Sequence, residues 1–259
     1  MSGLQTHPMR KPLRKGSHGS RDRGPRPPRF PRQIEILYED DAVIAVNKPA
    51  GLLAVPVTGF DTPSALSVLS GEFKSIKKRV FVVHRIDRYT SGILLFAKTE
   101  RDREALIRQF LAHTPVRKYL AVIRGRLGSK EGKLIHYFRR EGMFQKLSTE
   151  KDRRAAQAEL RYSVQRTLPG ASLVEVTLLT GLQNQIRVQF LAIGHPVIGD
   201  RKYSPQEASE LRIHRVALHA SHLDFVHPRS SEIVSIDCGV PADFQSLLGQ
   251  KPQKPQNRS

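Results

Sequence analysis

The run His84-Arg85-Ile86-Asp87-Arg88-Tyr89-Thr90-Ser91-Gly92 sets polar and charged side chains between two apolar stretches, Phe81-Val82-Val83 and Ile93-Leu94-Leu95-Phe96-Ala97. Polar groups confined in that way must find partners or perform chemistry. Asp87 has the most chemistry to offer, because a carboxylate serves as a nucleophile or as a base. A structural turn fits the same residues, with Asp87 paired to an arginine and Thr90 and Ser91 bonded to backbone. Two further segments carry candidate groups. In Arg117-Lys118-Tyr119 an aromatic follows two cations at a strand start, which suits base stacking beside phosphate binding and equally suits an edge-strand tyrosine. In Thr180-Gly181-Leu182-Gln183-Asn184-Gln185-Ile186-Arg187 a glycine turn opens an amide-rich helix, with Arg187 either working inward or facing solvent.

Other carboxylate chemistries fit less well. Glycosidases ordinarily set two carboxyls against each other, and metal nucleases need an acidic cluster. The acids nearest Asp87 in sequence, Glu72 and Glu100, each lie beyond an apolar stretch. A metal site from His214, His219, His222 and His227 is disfavoured because His219 and His222 fall on opposite faces of a strand. The single cysteine, Cys238, excludes an internal disulfide framework and a cysteine-rich metal site, and points to a reducing, cytoplasmic setting. No metal is expected.

The elements that must position these residues can be read from periodicity. Ile34, Ile36 and Tyr38 alternate as a strand, and Ala42–Val46 reads as a buried one. Gly92–Ala97, Tyr119–Ile123, Ala158–Val164, Leu173–Leu179, Arg215–His222 and Glu232–Cys238 are predicted strands. Thr99 caps a helix with Asp102 three residues on, and Leu106, Ile107, Phe110 and Leu111 form its apolar stripe. A short helix starting at Gln183 or Asn184 carries Ile186, Phe190 and Ile193 and stops at Gly194. Strands outnumber helices and several are joined by short turns, which predicts an α+β domain with a mostly antiparallel sheet.

Charge bounds the partner. Lys plus Arg total 43 against 24 acids, a net +19 over 259 residues, and an excess of that size implies a polyanion, with nucleic acid first. Residues 1–33 hold nine basic residues and one acid, which accounts for +8. That arm is too polar to pack a core and is expected to be a disordered basic arm that attracts phosphates. Residues 249–259 read as a polar tail. No apolar run is long enough to span a bilayer, so no membrane association is expected.

Taken together, the segments resemble the RluA-type pseudouridine synthases. The resemblance rests on Tyr38-Glu39-Asp40-Asp41 through Asn47-Lys48-Pro49-Ala50-Gly51 and on the His84–Lys98 run. It continues in Lys118-Tyr119-Leu120-Ala121, Gln185-Ile186-Arg187-Val188, Gly194-His195-Pro196-Val197-Ile198-Gly199-Asp200, Ala217-Leu218-His219-Ala220 and Phe225-Val226-His227-Pro228. The blocks follow the family's order over roughly residues 34–245. The resemblance implies a single catalytic domain over residues 34–248, with a bent, mixed sheet, flanking helices and a cleft across its middle. It implies that Asp87 is the essential carboxylate. Tyr119 would pack against the target uracil, as a candidate for proton abstraction from carbon 5, and Arg187 would pair with Asp87. Arg85 would help fill the space left by the displaced base, and His84, Thr90, Ser91, Lys118 and Gln185 would be substrate-binding.

The reaction so implied moves the ribose bond from uracil nitrogen 1 to carbon 5 in ribosomal or transfer RNA. No redox step or group donor is needed, so no cofactor is expected, and a monomer without an obligatory protein partner suffices. Arg187 beside Asp87 is expected to keep the carboxylate ionised by lowering its pKa. A non-catalytic RNA-binding protein on the same fold is the alternative; intact Asp87, Tyr119 and Arg187 speak against it. The family's Thr-Gly-Arg-Thr-His-Gln-Ile-Arg-Val-His block is altered here, with Leu182, Gln183 and Asn184 in place of Arg, Thr and His, and Gln189 in place of the last His. That change predicts a different grip on RNA.

Overall fold

The computed structural model describes residues 34–59, 62–75, 79–206 and 213–249. The expected basic arm over residues 1–33 and nearly all of the expected tail lie outside these residues.

The most apolar segments make the strands at the centre of the fold. β2 (Val43–Lys48) and β4 (Ser91–Ala97) pair antiparallel and are buried almost throughout. β1 (Ile36–Glu39) flanks β2, and the two-residue β3 (Phe81–Val82) also pairs with β4. β5 (Val116–Arg124) pairs with β9 (Ala171–Leu178). β9 continues to β8 (Ala156–Leu168), then to β6 (Glu131–Glu141) and β7 (Phe144–Ser148). β10 (Leu218–Val226) joins the two sides, antiparallel to β5 and parallel to β4 over Ser91–Gly92, and it also carries β11 (Ile233–Asp237). The fold is thus α+β, with a mixed, mostly antiparallel sheet. At the parallel seam the strands approach so closely that a Cβ on Gly92 (φ +104°) would stand 2.1 Å from the Ala220 carbonyl oxygen. Only glycine fits there, which gives the Thr90-Ser91-Gly92 run a structural cause.

Among the described residues four helices accompany the sheet: α1 (Ala65–Ser75), α2 (Glu100–Leu111), α3 (Gln185–Ala192) and α4 (Ala242–Leu247). In α2 the Thr99 oxygen accepts from Asp102 N (3.1 Å) while its hydroxyl donates to the Asp102 carboxylate (2.6 Å), an N-cap whose return bond comes from the hydroxyl where a capping box uses the backbone N–H. Leu106 is buried as predicted, but Leu111 is 74% exposed because the helix ends there. The predicted strands are displaced at their ends. Residues 215–217 precede β10 because Arg215 turns its guanidinium back onto the Val216 and Leu218 carbonyls. The β6–β7 hairpin and the helices α1 and α4 are not among the predicted elements.

The two larger core clusters among the described residues lie along the sheet. One gathers Val43, Ala45, Leu95, Leu106 and Phe225. The larger one contains Ile86, Tyr119, Ile186 and Phe190, and it is this cluster that assembles the site.

Candidate active site

Ile86, Tyr119 and Ile186 pack in one apolar cluster. Each is, or adjoins, one of the three residues singled out above, so burial of these side chains draws Asp87, Tyr119 and Arg187 together from three elements. The Asp87 loop is clamped from behind. Arg88 O accepts from Gly51 N (2.7 Å), Arg88 Nε donates to Gly51 O (2.9 Å), and Thr90 N donates to Asp87 O (3.1 Å). Lys48, wholly buried at the end of β2, donates from Nζ to the carbonyls of Pro49, Leu52 and Arg88 at 3.0, 2.9 and 3.1 Å. Burial pulls its pKa down to about 7 against the opposing pull of Asp87. The three carbonyls match the three donors of an ammonium. With the backbone fixed in this way, the Asp87 carboxyl faces α3.

On α3, Arg187 is 7% exposed and fully engaged. Its Nε and Nη2 donate to the two Asp200 oxygens at 2.8 and 2.6 Å, and Nη1 donates to Asn184 Oδ1 at 2.6 Å. The same Nη1 reaches Asp87 Oδ2 at 3.5 Å. The expected pairing with Asp87 is therefore the longer contact, and the bidentate partner of Arg187 is Asp200. Asp200 is held in turn by the backbone amides of Lys202 and Tyr203 (3.0 and 3.1 Å). It follows Gly199 (φ +74°), where a Cβ would stand 2.0 Å from Arg215 O. Asn184 sits in the left-handed region at the helix start and makes no side-chain cap bond, because its oxygen is taken by Arg187.

The electrostatics differ from expectation. Burial raises the Asp87 pKa above its ordinary value, and Arg187, Lys202 and Lys48 oppose that rise without cancelling it. A carboxylate with a 25% exposed side chain and a cation at 3.5 Å gives up more hydration than one long contact returns. Tyr119, 9% exposed, is pushed up to about 12 by burial, with Asp87 adding to the rise. It is a neutral phenol at neutral pH.

The remaining predicted binding residues divide. Arg85 is exposed beside Asp87. Thr90 is 2% exposed, and its hydroxyl has no hydrogen-bond partner among the described residues. The other four are held elsewhere. His84 stacks on Phe110 (4.5 Å between ring centroids, 12° apart) and accepts from Leu95 N at 3.1 Å. Burial and Arg117 push its pKa down to about 3, so it is a neutral brace between the loop and α2. Ser91 bonds His219 Nδ1 at 2.9 Å, and His219 Nε2 lies 3.3 Å from Cys238 O. The carbonyl requires Nε2 to donate, so Nδ1 accepts from the serine. Lys118 follows the pleat to the face opposite Tyr119 and pairs with Glu175 at 3.5 Å. Gln185 is 2% exposed; its oxygen accepts from Thr180 Oγ1 and Leu182 N, and its nitrogen donates to Glu159 O and Gln189 Oε1.

The altered block has its own packing. Leu182 and Tyr203 pack against Phe138, Ala158 and Val188, and Gln189 donates to the carbonyls of Leu134 and Ala158. Sequence reasoning assigned no role to Asp200, Asn184, Lys202, Tyr203 or Lys48. The signals available were an acid directly after a turn glycine and a lysine ending a strand that opens on four apolar residues. The four histidines weighed as a metal site disperse. His214 is exposed, His219 goes to Ser91, His222 to Asp224 and Asp237, and His227 to Asp40. Among the described residues no group of His, Cys, Asp or Glu could hold a metal ion, and no helix is long and apolar enough to cross a membrane.

Residues 42–192 match the family described as RNA pseudouridylate synthase. A ribosomal large subunit pseudouridine synthase D of Zymomonas mobilis is 36% identical over 228 residues, covering 83% of this chain and 72% of its own. The dual-specificity RNA pseudouridine synthase RluA of Vibrio cholerae is 36% identical over 226 residues, covering 84% of this chain and 86% of its own. Two solved human structures, RNA pseudouridylate synthase domain containing 4 and domain containing 1, superpose with TM-scores of 0.67 and 0.68 at 22% and 23% identity. They cover 83% of this chain and share its fold.

Proposed function

Because the chain belongs to the RNA pseudouridylate synthase family and is an RNA-modifying isomerase, we propose that Asp87 is the carboxylate that converts a flipped-out uridine in ribosomal RNA to pseudouridine. The observation that carries this reading is the contact at 3.5 Å between Asp87 and Arg187, residues one hundred positions apart, beside the buried ring of Tyr119. Ribosomal RNA is favoured because the Zymomonas relative is named for the large ribosomal subunit.

The target leaves its stack at a cost of about a few kcal/mol, and Arg85, exposed two residues before Asp87, would fill the gap. Asp87 then attacks ribose carbon 1′, or takes a ribose proton to begin elimination. In either route the bond to nitrogen 1 breaks and the uracil turns; carbon 5 then bonds to carbon 1′ as the Asp87–carbon 1′ bond breaks or, after elimination, as Asp87 returns the ribose proton. The carbon 5 proton is lost and nitrogen 1 gains one, so the product is an isomer of the substrate. Tyr119 walls the loosened base so that it rotates in place. A pKa of about 12 favours this packing role over that of a resting-state base. The basic arm would add affinity that falls with salt.

The test maps pseudouridine across total RNA in cells lacking the wild-type copy, complemented with wild type or Asp87→Asn. Wild type should restore one or a few sites in large-subunit ribosomal RNA, and Asp87→Asn should lower turnover by at least about a thousandfold. Restoration of every site by Asp87→Asn would overturn the assignment. Restored sites confined to transfer RNA would overturn the choice of substrate.

A further inference from the structure

Between the β6–β7 hairpin and α3 lies an open groove of about 460 Å³, lined by Phe144, Leu147, Val188, Leu191, Lys202 and Tyr203 among others. That volume lies within the roughly 300–1,000 Å³ usual for small-molecule sites. Its outer wall is apolar and wet, with Phe144 at 44% and Leu147 at 57% exposure, and the neighbouring Met143, outside the lining, is 75% exposed. Such a cluster on a strongly basic protein marks a contact surface. Phe144 and Tyr203 meet edge to face at 5.8 Å. The Lys202 ammonium stands 4.8 Å and 5.2 Å from their ring centres while donating to Met143 O at 2.6 Å. Lys146 adds a second cation at the rim, in a solvent-screened pair with Glu141 (2.6 Å) that a phosphate can exchange for.

The groove is continuous with the site. The Tyr203 ring lies under the Arg187 guanidinium at 5.0 Å, and its hydroxyl accepts from Gln145 N on the hairpin and from Asn184 Nδ2 on α3 (3.1 and 3.2 Å). Lys202 is also among the cations that act on Asp87. Leu182 adds its side chain to the apolar cluster behind Val188 and Tyr203. Aromatic and aliphatic walls beside two lysines match one ligand chemistry, a base with its phosphate.

We infer that this groove holds an unstacked nucleobase of the substrate RNA, a neighbour of the target uridine, against Phe144 and Leu147, with Lys146 and Lys202 facing its phosphate. The inference rests on the pseudouridine synthase reading for its substrate but not on any step of the chemistry.

The test uses the full chain carrying Asp87→Asn, irradiated with 4-thiouridine-labelled total RNA from cells lacking the wild-type copy, with cross-linked residues mapped by mass spectrometry. Adducts are expected on residues 143–147 and on Tyr203, and Phe144→Ala with Leu147→Ala should abolish them. With Asp87 intact, the same double substitution should raise KM for that RNA by about tenfold with a smaller effect on kcat, whereas Ile135→Ala, on the same hairpin but outside the groove, should change neither. Adducts elsewhere but none in the groove, or an unchanged KM, would overturn the inference. A dimer by light scattering that Phe144→Ala dissociates would also overturn it and assign the groove to a second copy of the chain. Cross-links in the groove combined with full activity of Asp87→Asn would instead sink the catalytic assignment and leave the groove standing.

Discussion

The ion pair Arg187–Asp200 and the ion pair Lys146–Glu141 are both 2.6 Å long. The first lies beside Asp87 with side chains 7% and 2% exposed; the second lies on the β6–β7 hairpin with side chains 63% and 34% exposed. Arg187 uses a planar fork, and the Asp200 oxygens collect two backbone amides besides. Lys146 reaches Glu141 as a point charge in water, alongside Arg139. Equal distances thus conceal unequal interactions. In a dry environment the attraction is strong and a lost partner strands a charge, whereas in water the same geometry is screened and exchangeable. The buried pair can hold a side chain in place for chemistry, and the exposed pair leaves the hairpin free to adapt to what it meets.

Four substitutions test that contrast. The largest effect is expected from Asp200→Asn, which leaves the buried Arg187 charge with only the longer contact to Asp87. It should cost about 3 kcal/mol in urea unfolding and lower turnover more than tenfold; an unchanged midpoint would show that Arg187 does not depend on Asp200. Asp87→Asn should move stability the other way. The folded-state pKa of Asp87 lies above the ordinary 3.8, so the unfolded chain ionises first and folding loses stability as pH rises from about 3.8 through the folded value. The neutral isostere escapes that loss, and its melting midpoint at neutral pH should exceed that of wild type; a lower midpoint would mean that Arg187 outweighs burial at this carboxyl.

Lys202→Met should act more gently. Activity requires ionised Asp87, so kcat/KM falls as pH drops through its raised pKa. Removing a cation that lowers that pKa should carry the acid limb of the profile to higher pH. A limb that stays put, or moves down, would remove Lys202 from the electrostatics of the site. The smallest effect is expected at Glu141, whose pKa is held at about 2 by hydrogen bonds from Lys146 and Arg139. Because the group is solvent-exposed, Glu141→Gln should leave the unfolding midpoint unchanged, and a measurable loss would contradict the contrast between the two pairs.

The two regions also differ in how far they can be read in advance. β2 and β4 are legible because strands buried on both faces read as near-continuous apolar runs, here residues 43–46 and 93–97. The hairpin strand Glu131–Glu141 mixes charged and apolar residues, and its partners are β7 and a strand beginning at Ala156. Its pairing is not written in its own periodicity. α4 spans only Ala242–Leu247 and shows its purpose through Phe244 and Leu247, buried in the core beneath β5 and β10 residues. Within the site, Asp87, Tyr119 and Arg187 stand out by type and order, but their polar neighbours do not sort themselves. His84 and Gln185 look like substrate ligands in a linear reading, and the structure spends them on Phe110, Leu95, Thr180 and Glu159. A side chain's direction depends on the pleat and on what lies across from it, which adjacency in sequence does not record.

The amino-acid sequence by itself determined the family, the α+β class and the three residues that converge, because these depend on residue type, order and apolar patterning along the chain. Only the tertiary structure decided that Arg187 forks onto Asp200 and touches Asp87 at longer range, that burial leaves Asp87 with a raised pKa, and that the hairpin opens a groove beside Tyr203. Those outcomes depend on burial and on partners far apart in the chain, quantities that exist only once the strands have been laid side by side.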